Sequence, residues 1–342
     1  MLPQDLRVLP ELSPAPPAEA TQPLLAAAIK SARIVSALAD RKSDTLLLRV
    51  DAGASADVSA SASAGAGVGV GAEASAGGHD LLLVLKVYDE AHPGRGASTG
   101  RAGREADALL RLAQAGVCVP GLVASGKRAL LRRYVEGPIV RDLHWDVTLA
   151  RQLAEWVFRC HEALAIDAIR GTDSVGVIDA IGGMDSAGAD ESSCVADMTC
   201  VADMTGAAGT TGAGEHGLRR SWLVGDMNLG NFVLDVASGR LCGIDLGDTR
   251  VGDPLDDVGE GCMRIVGRRP GFTADRWECA VAFASWYGRL AGSVEYVLSR
   301  IPERASASFR QMAVWRDDPF MAEVADAFQI LWGDALLSLK ND

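Results

Sequence analysis

The chain has 342 residues, 48% of them apolar or aromatic. That is enough for one large domain or two lobes sharing a cleft, and it rules out a mini-protein stapled by disulfides. Acidic residues (45) outnumber basic ones (33), and the net charge of -12 excludes a chain-wide basic surface for nucleic acid. The excess lies toward the C-terminus: 18 basic and 31 acidic side chains from residue 140 onward, against 15 and 14 before it. A cationic substrate or simply a soluble acidic surface accounts for such a balance. Seven cysteines form no CxxC pair, which argues against a disulfide framework or zinc cluster and fits a reducing cytosol. The N-terminal MLPQDLRVLPELSPAPPAEA lacks a basic segment followed by an apolar one, and no apolar run approaches a membrane span. A cytoplasmic chain with no membrane or nucleic-acid partner is expected.

In chain order, residues 1–32 read as an N-terminal extension. Apolar runs at 33–39 and 45–50, separated by the polar DRKSD, predict a hairpin. Residues 52–78 hold 22 Ala, Gly or Ser in 27 positions and cannot build a core. After them LLLVLKVYD (81–89) predicts a buried strand with one lysine, Lys86, which needs a partner there. Residues 103–115 predict a helix carrying Glu105, stopped by Gly116, and 121–124 and 129–135 predict two more short strands. Beyond Gly137 the pattern turns helical, with amphipathic or aromatic-bearing stretches at 147–164, 277–298 and 321–339. A second low-complexity segment, about 168–217, contains CVADMT twice in tandem. Two copies do not make a solenoid, so both segments read as surface insertions within one fold.

The richest segment is SWLVGDMNLGNFVLDVASGRLCGIDLGDTRVGDPLDDVG (221–259). Asp226 and Asn231 stand five apart across a glycine-containing loop, and Asn231 runs into an apolar strand at 232–234. A Ser238-Gly239 turn leads to a second strand at 241–244 that ends on Asp245, so a hairpin brings Asp245 back beside Asn231. A carboxylate and an amide oxygen side by side suit Mg²⁺ carrying nucleotide phosphates, because Mg²⁺ takes one or two protein oxygens and fills its remaining positions from phosphate and water. Asp226, at the start of the loop, is placed to accept a proton from a hydroxyl.

Lys86, Glu105, GDMNLGN and IDLGD together resemble the protein-kinase-like superfamily, in particular its aminoglycoside phosphotransferase and choline kinase-like branch, whose pattern is HGDxxxxN followed by IDxGDxxxGDPxxD. The resemblance implies an α+β, bilobal protein-kinase-like fold: a small antiparallel-sheet lobe with one helix (33–137) and a larger, mainly helical lobe (138–342). It further implies an ATP- and Mg²⁺-dependent transfer of the γ-phosphoryl group to a hydroxyl of a small, cationic molecule, for which Asp248, Asp256 and Glu260 offer negative charge. In these terms Lys86, paired with Glu105, holds the α- and β-phosphates of the nucleotide, Asp226 is the catalytic base, and Asn231 and Asp245 bind the metal. The stretch Tyr134-Val135-Glu136-Gly137 is the hinge that faces adenine, and Asp257 braces the catalytic loop. The alternatives are a protein kinase similar to the RIO type and a nucleotide-binding pseudokinase scaffold. Two departures stand out: Val224 replaces the pattern's histidine, and the turn at 40–44 has no glycine, which leaves Arg41, Lys42 or Ser43 to meet the phosphates. His144 and His161 read as surface or packing residues.

Overall fold

A strand buried on both sides must send successive side chains to two different layers, and 81–88 does this with its lysine included. In the computed structural model, which describes residues 6–38, 43–50, 81–88, 100–166, 220–268 and 271–338, six strands form one antiparallel sheet. They are β1 (Ser13–Pro14), β2 (Arg33–Leu38), β3 (Ser43–Val50), β4 (Leu81–Tyr88), β5 (Leu122–Ser125) and β6 (Ala129–Arg133), in the order β1-β5-β6-β4-β3-β2. Both low-complexity segments, with the tandem repeat, lie outside the described residues, as do positions 39–42 of the first turn.

Leu83 and Leu85 of β4, Leu46 and Leu48 of β3, and Ala129 and Leu131 of β6 point to one face of the sheet. That face is covered by the segment that reads in sequence as a mere extension. Helix α1 (Ala18–Ser31) and the turn before it bury Leu6, Leu9, Leu12, Leu24 and Leu25 there, and β1 pairs with β5 at the sheet edge. The sheet therefore carries a helix on each face, α2 from within residues 33–137 and α1 from the segment before them. The opposite face carries Lys86, Tyr88, Leu130 and Arg132, and meets α2 (Arg101–Gln114), whose Leu109 and Leu112 join the core of the second lobe. Gly116 ends this helix region in the left-handed conformation (φ 73°), which its lack of a Cβ permits.

The large lobe begins with α3 (Val147–Ala163), capped by the Asp146 carboxylate, which accepts the Leu149 N–H at 2.8 Å. Three short pairings follow: β7 (Ser221–Leu223) with β10 (Arg250–Gly252), and β8 (Phe232–Leu234) with β9 (Leu241–Gly243). Helices α4 (Pro254–Val266), α5 (Ala274–Leu290), α6 (Val294–Arg316) and α7 (Phe320–Ser338) complete it. The stretch 277–298 is thus parts of two helices, broken where Gly292 takes φ 80°. Phe309, Phe328 and Trp332 pack with Trp277 between the last helices. The lobes are joined where Trp156 Nε1 of α3 donates to the Cys118 carbonyl at 2.9 Å and the ring of Trp156 stands edge-on to Phe232. Among the described residues no helix is long and apolar enough to cross a membrane.

Leu9→Ala should cost about 2–4 kcal/mol in urea denaturation, the value for a cavity left in a buried core. A change within a few tenths of a kcal/mol would mean that the N-terminal segment only lies on the surface.

Candidate functional site

Lys86 sits on the inner face of β4, and its ammonium is buried. It donates to Glu105 Oε2 of α2 at 3.1 Å and to Asp245 Oδ1 at 2.8 Å, so one cation joins the sheet, the helix and the loop after β9. The Tyr88 hydroxyl donates to the same Glu105 oxygen. Burial alone lowers an ammonium's pKa, but the charges of Glu105 and Asp245 outweigh it and leave Lys86 raised. For Glu105 burial wins over Lys86, and the carboxyl is raised. Asp245 goes the other way: burial is outweighed by Lys86 and by the Gly247 N–H, which holds it down at about 2. Gly247 is needed for the cluster to close, since a Cβ there would meet the Tyr88 hydroxyl at 2.9 Å and Glu105 Oε2 at 3.2 Å.

The loop 224–231 is built by backbone bonds to its own side chains. Gly225 turns with φ 80°, where a Cβ would run into the Asp248 carbonyl. Asp226 Oδ1 accepts the Asn228 N–H at 3.1 Å, the Asn228 side chain accepts the Gly230 N–H at 3.1 Å, and Asn231 Nδ2 donates to the Asp226 carbonyl at 3.2 Å. The Ile244 N–H donates to the Asn231 carbonyl at 2.8 Å, so the β8–β9 hairpin places Asp245 next to Asn231. Among the described residues no three His, Cys, Asp or Glu side chains converge to cage a bare ion. The two hard oxygen donors at Asn231 and Asp245 fit a magnesium ion that arrives with phosphate ligands of its own.

The support that Val224 leaves undone as a side chain comes from elsewhere. Val224 packs into the core, while Asp257 of α4, fully buried, accepts the Val224 N–H at 2.6 Å and the Gly225 N–H at 3.1 Å. His161 of α3 meets Asp257 Oδ2 through Nε2 at 3.0 Å and the Tyr287 hydroxyl through Nδ1 at 2.9 Å. Both ring nitrogens are thereby engaged, one by the carboxylate and one by the phenol. Burial, then the Asp257 charge, push the Tyr287 hydroxyl's pKa well up, which keeps it a donor. His161 is a packing residue with a specific task, and only its distance in the chain hid it. His144 is exposed.

Other expected positions lie differently. The backbone of Ser43 opens β3 and pairs with Tyr88. Tyr134 is partly exposed and its N–H donates to the Leu82 carbonyl at 3.1 Å. The Glu136 side chain is exposed, and its carbonyl already accepts the Val236 N–H at 3.0 Å, so this group of the hinge is occupied within the protein. Asp253 caps α4 by accepting the Leu255 N–H at 3.0 Å ahead of Pro254. The three acids expected to greet a cation are each matched by an arginine: Asp248 by Arg101, Asp256 by Arg304 and Glu260 by Arg264, all at 2.8 Å. Arg264 also reaches Asp226 Oδ1 at 3.2 Å. Arg132, buried beside Lys86, donates to the Ile244 carbonyl. None of these arginines stands out from the sequence.

No protein-family profile and no curated protein matches the chain. Solved structures do. An amicoumacin kinase in complex with AMP-PNP, Ca²⁺ and amicoumacin superposes with a TM-score of 0.52 at 15% identity, over 89% of this chain and 88% of that one. A choline kinase from Cryptosporidium parvum gives 0.51 at 9% identity over 91% of each chain. The chain has the fold of these kinases. A microcompartment-associated aminopropanol kinase shares it too, with a TM-score of 0.50 at 14% identity over 90% of this chain and 93% of its own. At such identities the likeness carries the bilobal α+β architecture, and the chemistry has to be argued from the side chains.

The depressed pKa of Asp245 has a definite consequence for stability. A carboxylate that ionises more readily when folded stabilises the fold above its unfolded pKa near 4 and loses that contribution as pH falls toward 2. Urea curves of the wild type and Asp245→Asn should therefore keep a constant gap from neutral pH to about pH 5, and the gap should shrink by about 2 kcal/mol below about pH 4. A gap independent of pH down to about 3 would contradict the Lys86 pairing. His161→Phe, which removes one donor from buried Asp257, should cost about 1–3 kcal/mol, with His161→Gln recovering part of it in the same measurement.

Proposed function

We propose that this chain is an ATP- and Mg²⁺-dependent phosphotransferase that moves the γ-phosphoryl group to a hydroxyl of a small molecule. The observation that carries the reading is the convergence on Lys86 of Glu105 and Asp245, with the loop of Asp226 and Asn231 tied through Ile244 to the strand that ends on Asp245. A buried lysine fixed by a helix carboxylate is oriented to meet nucleotide phosphates, and its raised pKa keeps it charged. Asn231 and Asp245 would hold Mg²⁺, which supplies charge neutralisation at the phosphates when bound. Asp226, oriented by the Asn228 N–H and by Arg264, would take the proton of the acceptor hydroxyl.

Two features favour catalysis on a small acceptor over the alternatives. The brace of Asp257 and His161 supplies the loop support that Val224 lacks, which weakens the case for an inert scaffold. A cavity of about 200 Å³ between Asn228 and Leu229 of the loop and the helices that follow leaves room beside the loop for a small acceptor.

The test is ADP release and Mg-ATP binding by purified protein. Asp226→Asn should lower turnover by about two to four orders of magnitude while Mg-ATP still raises the melting temperature. Lys86→Ala should weaken nucleotide binding as well as turnover. Wild-type protein that binds no Mg-ATP, or full turnover by Asp226→Asn, would overturn the proposal.

A further inference from the structure

The cavity beside the loop that carries Asp226 has apolar walls. Leu229 of the loop, Met263 of α4, Phe309 and Met312 of α6, and Phe272 just before α5 all line it. Phe272 takes φ 60°, in the left-handed region that a bulky side chain rarely adopts, and its ring packs against Trp277 with centroids 6.1 Å apart. The chain therefore accepts a strained backbone where this wall is built.

Among the described residues no carboxylate lines the cavity, and the guanidinium groups that do, Arg141, Arg264 and Arg268, each have an acid of their own. Arg264 bonds Glu260 at 2.8 Å and Asp226 at 3.2 Å, while Arg141 and Arg268 approach Asp142 to 3.4 and 3.8 Å. Three cations thus stand against three anions, and an entering ion meets no uncompensated charge. A charged compound would give up its hydration there without gaining a counter-ion, whereas an apolar body gains by leaving water. Asn228 and Arg264 connect this space to the base: Asn228 lines it two residues from Asp226, and Arg264 runs from its wall to the Asp226 carboxylate.

We propose that the acceptor is an uncharged alcohol whose apolar body seats against Met263, Phe272, Phe309 and Met312 and whose hydroxyl turns toward Asp226. This substrate class rests on the kinase reading for the fate of the hydroxyl. Its oxygen bonds the γ-phosphorus, the bond from that phosphorus to the bridging oxygen breaks to release ADP, and the hydroxyl proton passes to Asp226. The preference for a neutral, apolar compound is open to measurement without nucleotide.

Three probes that share a benzyl group and a hydroxyl but differ in charge decide it: neutral 3-phenylpropane-1,2-diol, cationic phenylalaninol and anionic 3-phenyllactate. Each is titrated against the full chain by ligand-observed NMR, with propane-1,2-diol as the control that lacks the ring. The phenyl diol should bind about fivefold or more tightly than either charged probe, and about tenfold or more tightly than propane-1,2-diol. Asp142→Lys, a change at an exposed position that leaves Arg141 and Arg268 without their acid, should move phenyllactate ahead of the diol. A changed order of probes cannot come from misfolding, so the variant remains informative even if it is less stable. A charged probe leading in the wild type, equal affinities, no binding of any probe, or an order unchanged in Asp142→Lys would overturn the proposal. Mg-ATP titrated into the same samples reports separately: its failure to bind removes the kinase reading and leaves the order of the probes to decide what the cavity accepts.

Discussion

A buried ammonium shared between two carboxylates from different parts of the chain is the constraint around which this structure is arranged. Lys86 cannot stay charged inside a sheet without Glu105 and Asp245, and neither carboxylate would be tolerated there without Lys86. The requirement fixes α2 against β4 and draws the loop after β9 up to the sheet. It also demands a glycine at 247, because the Tyr88 hydroxyl and Glu105 occupy the space of a side chain. Such a triad is a poor source of net stability compared with apolar packing, and its value lies in setting one geometry for the cleft between the lobes.

The second constraint is that loop 224–231 has little secondary structure of its own. It is held from below by Asp257, which is held in turn by His161, while Tyr287 closes the chain of bonds. Each member comes from a different element, α4, α3 and α5. The loop thus borrows order from the large lobe, while Asp226 is held by the Asn228 N–H and Arg264, and Asn231 by the Asp226 carbonyl.

Much of this was legible in the sequence, for reasons that can be named. Lys86 interrupts an apolar strand, and Asp226, Asn231 and Asp245 lie within twenty residues joined by a hairpin whose turn chemistry is explicit, so short-range rules suffice. The site's other half was hidden by distance and by ordinariness. His161 and Asp257 are 96 positions apart, and Arg132 and Arg264 look like any surface arginine until the fold buries the first and half-buries the second. In the N-terminal segment, prolines interrupt the leucine spacing that closes the outer face of the sheet. Composition records how many carboxylates there are, but not that Asp248, Asp256 and Glu260 are each matched by an arginine.

The brace under the loop also bears on how the molecule fluctuates. The Val224 and Gly225 amide hydrogens are both held by the buried carboxylate of Asp257, Val224 being buried itself and Gly225 half-buried. A segment short of regular structure would then trade those hydrogens with deuterated water only when its bond to the helical lobe breaks, Gly225 ahead of Val224.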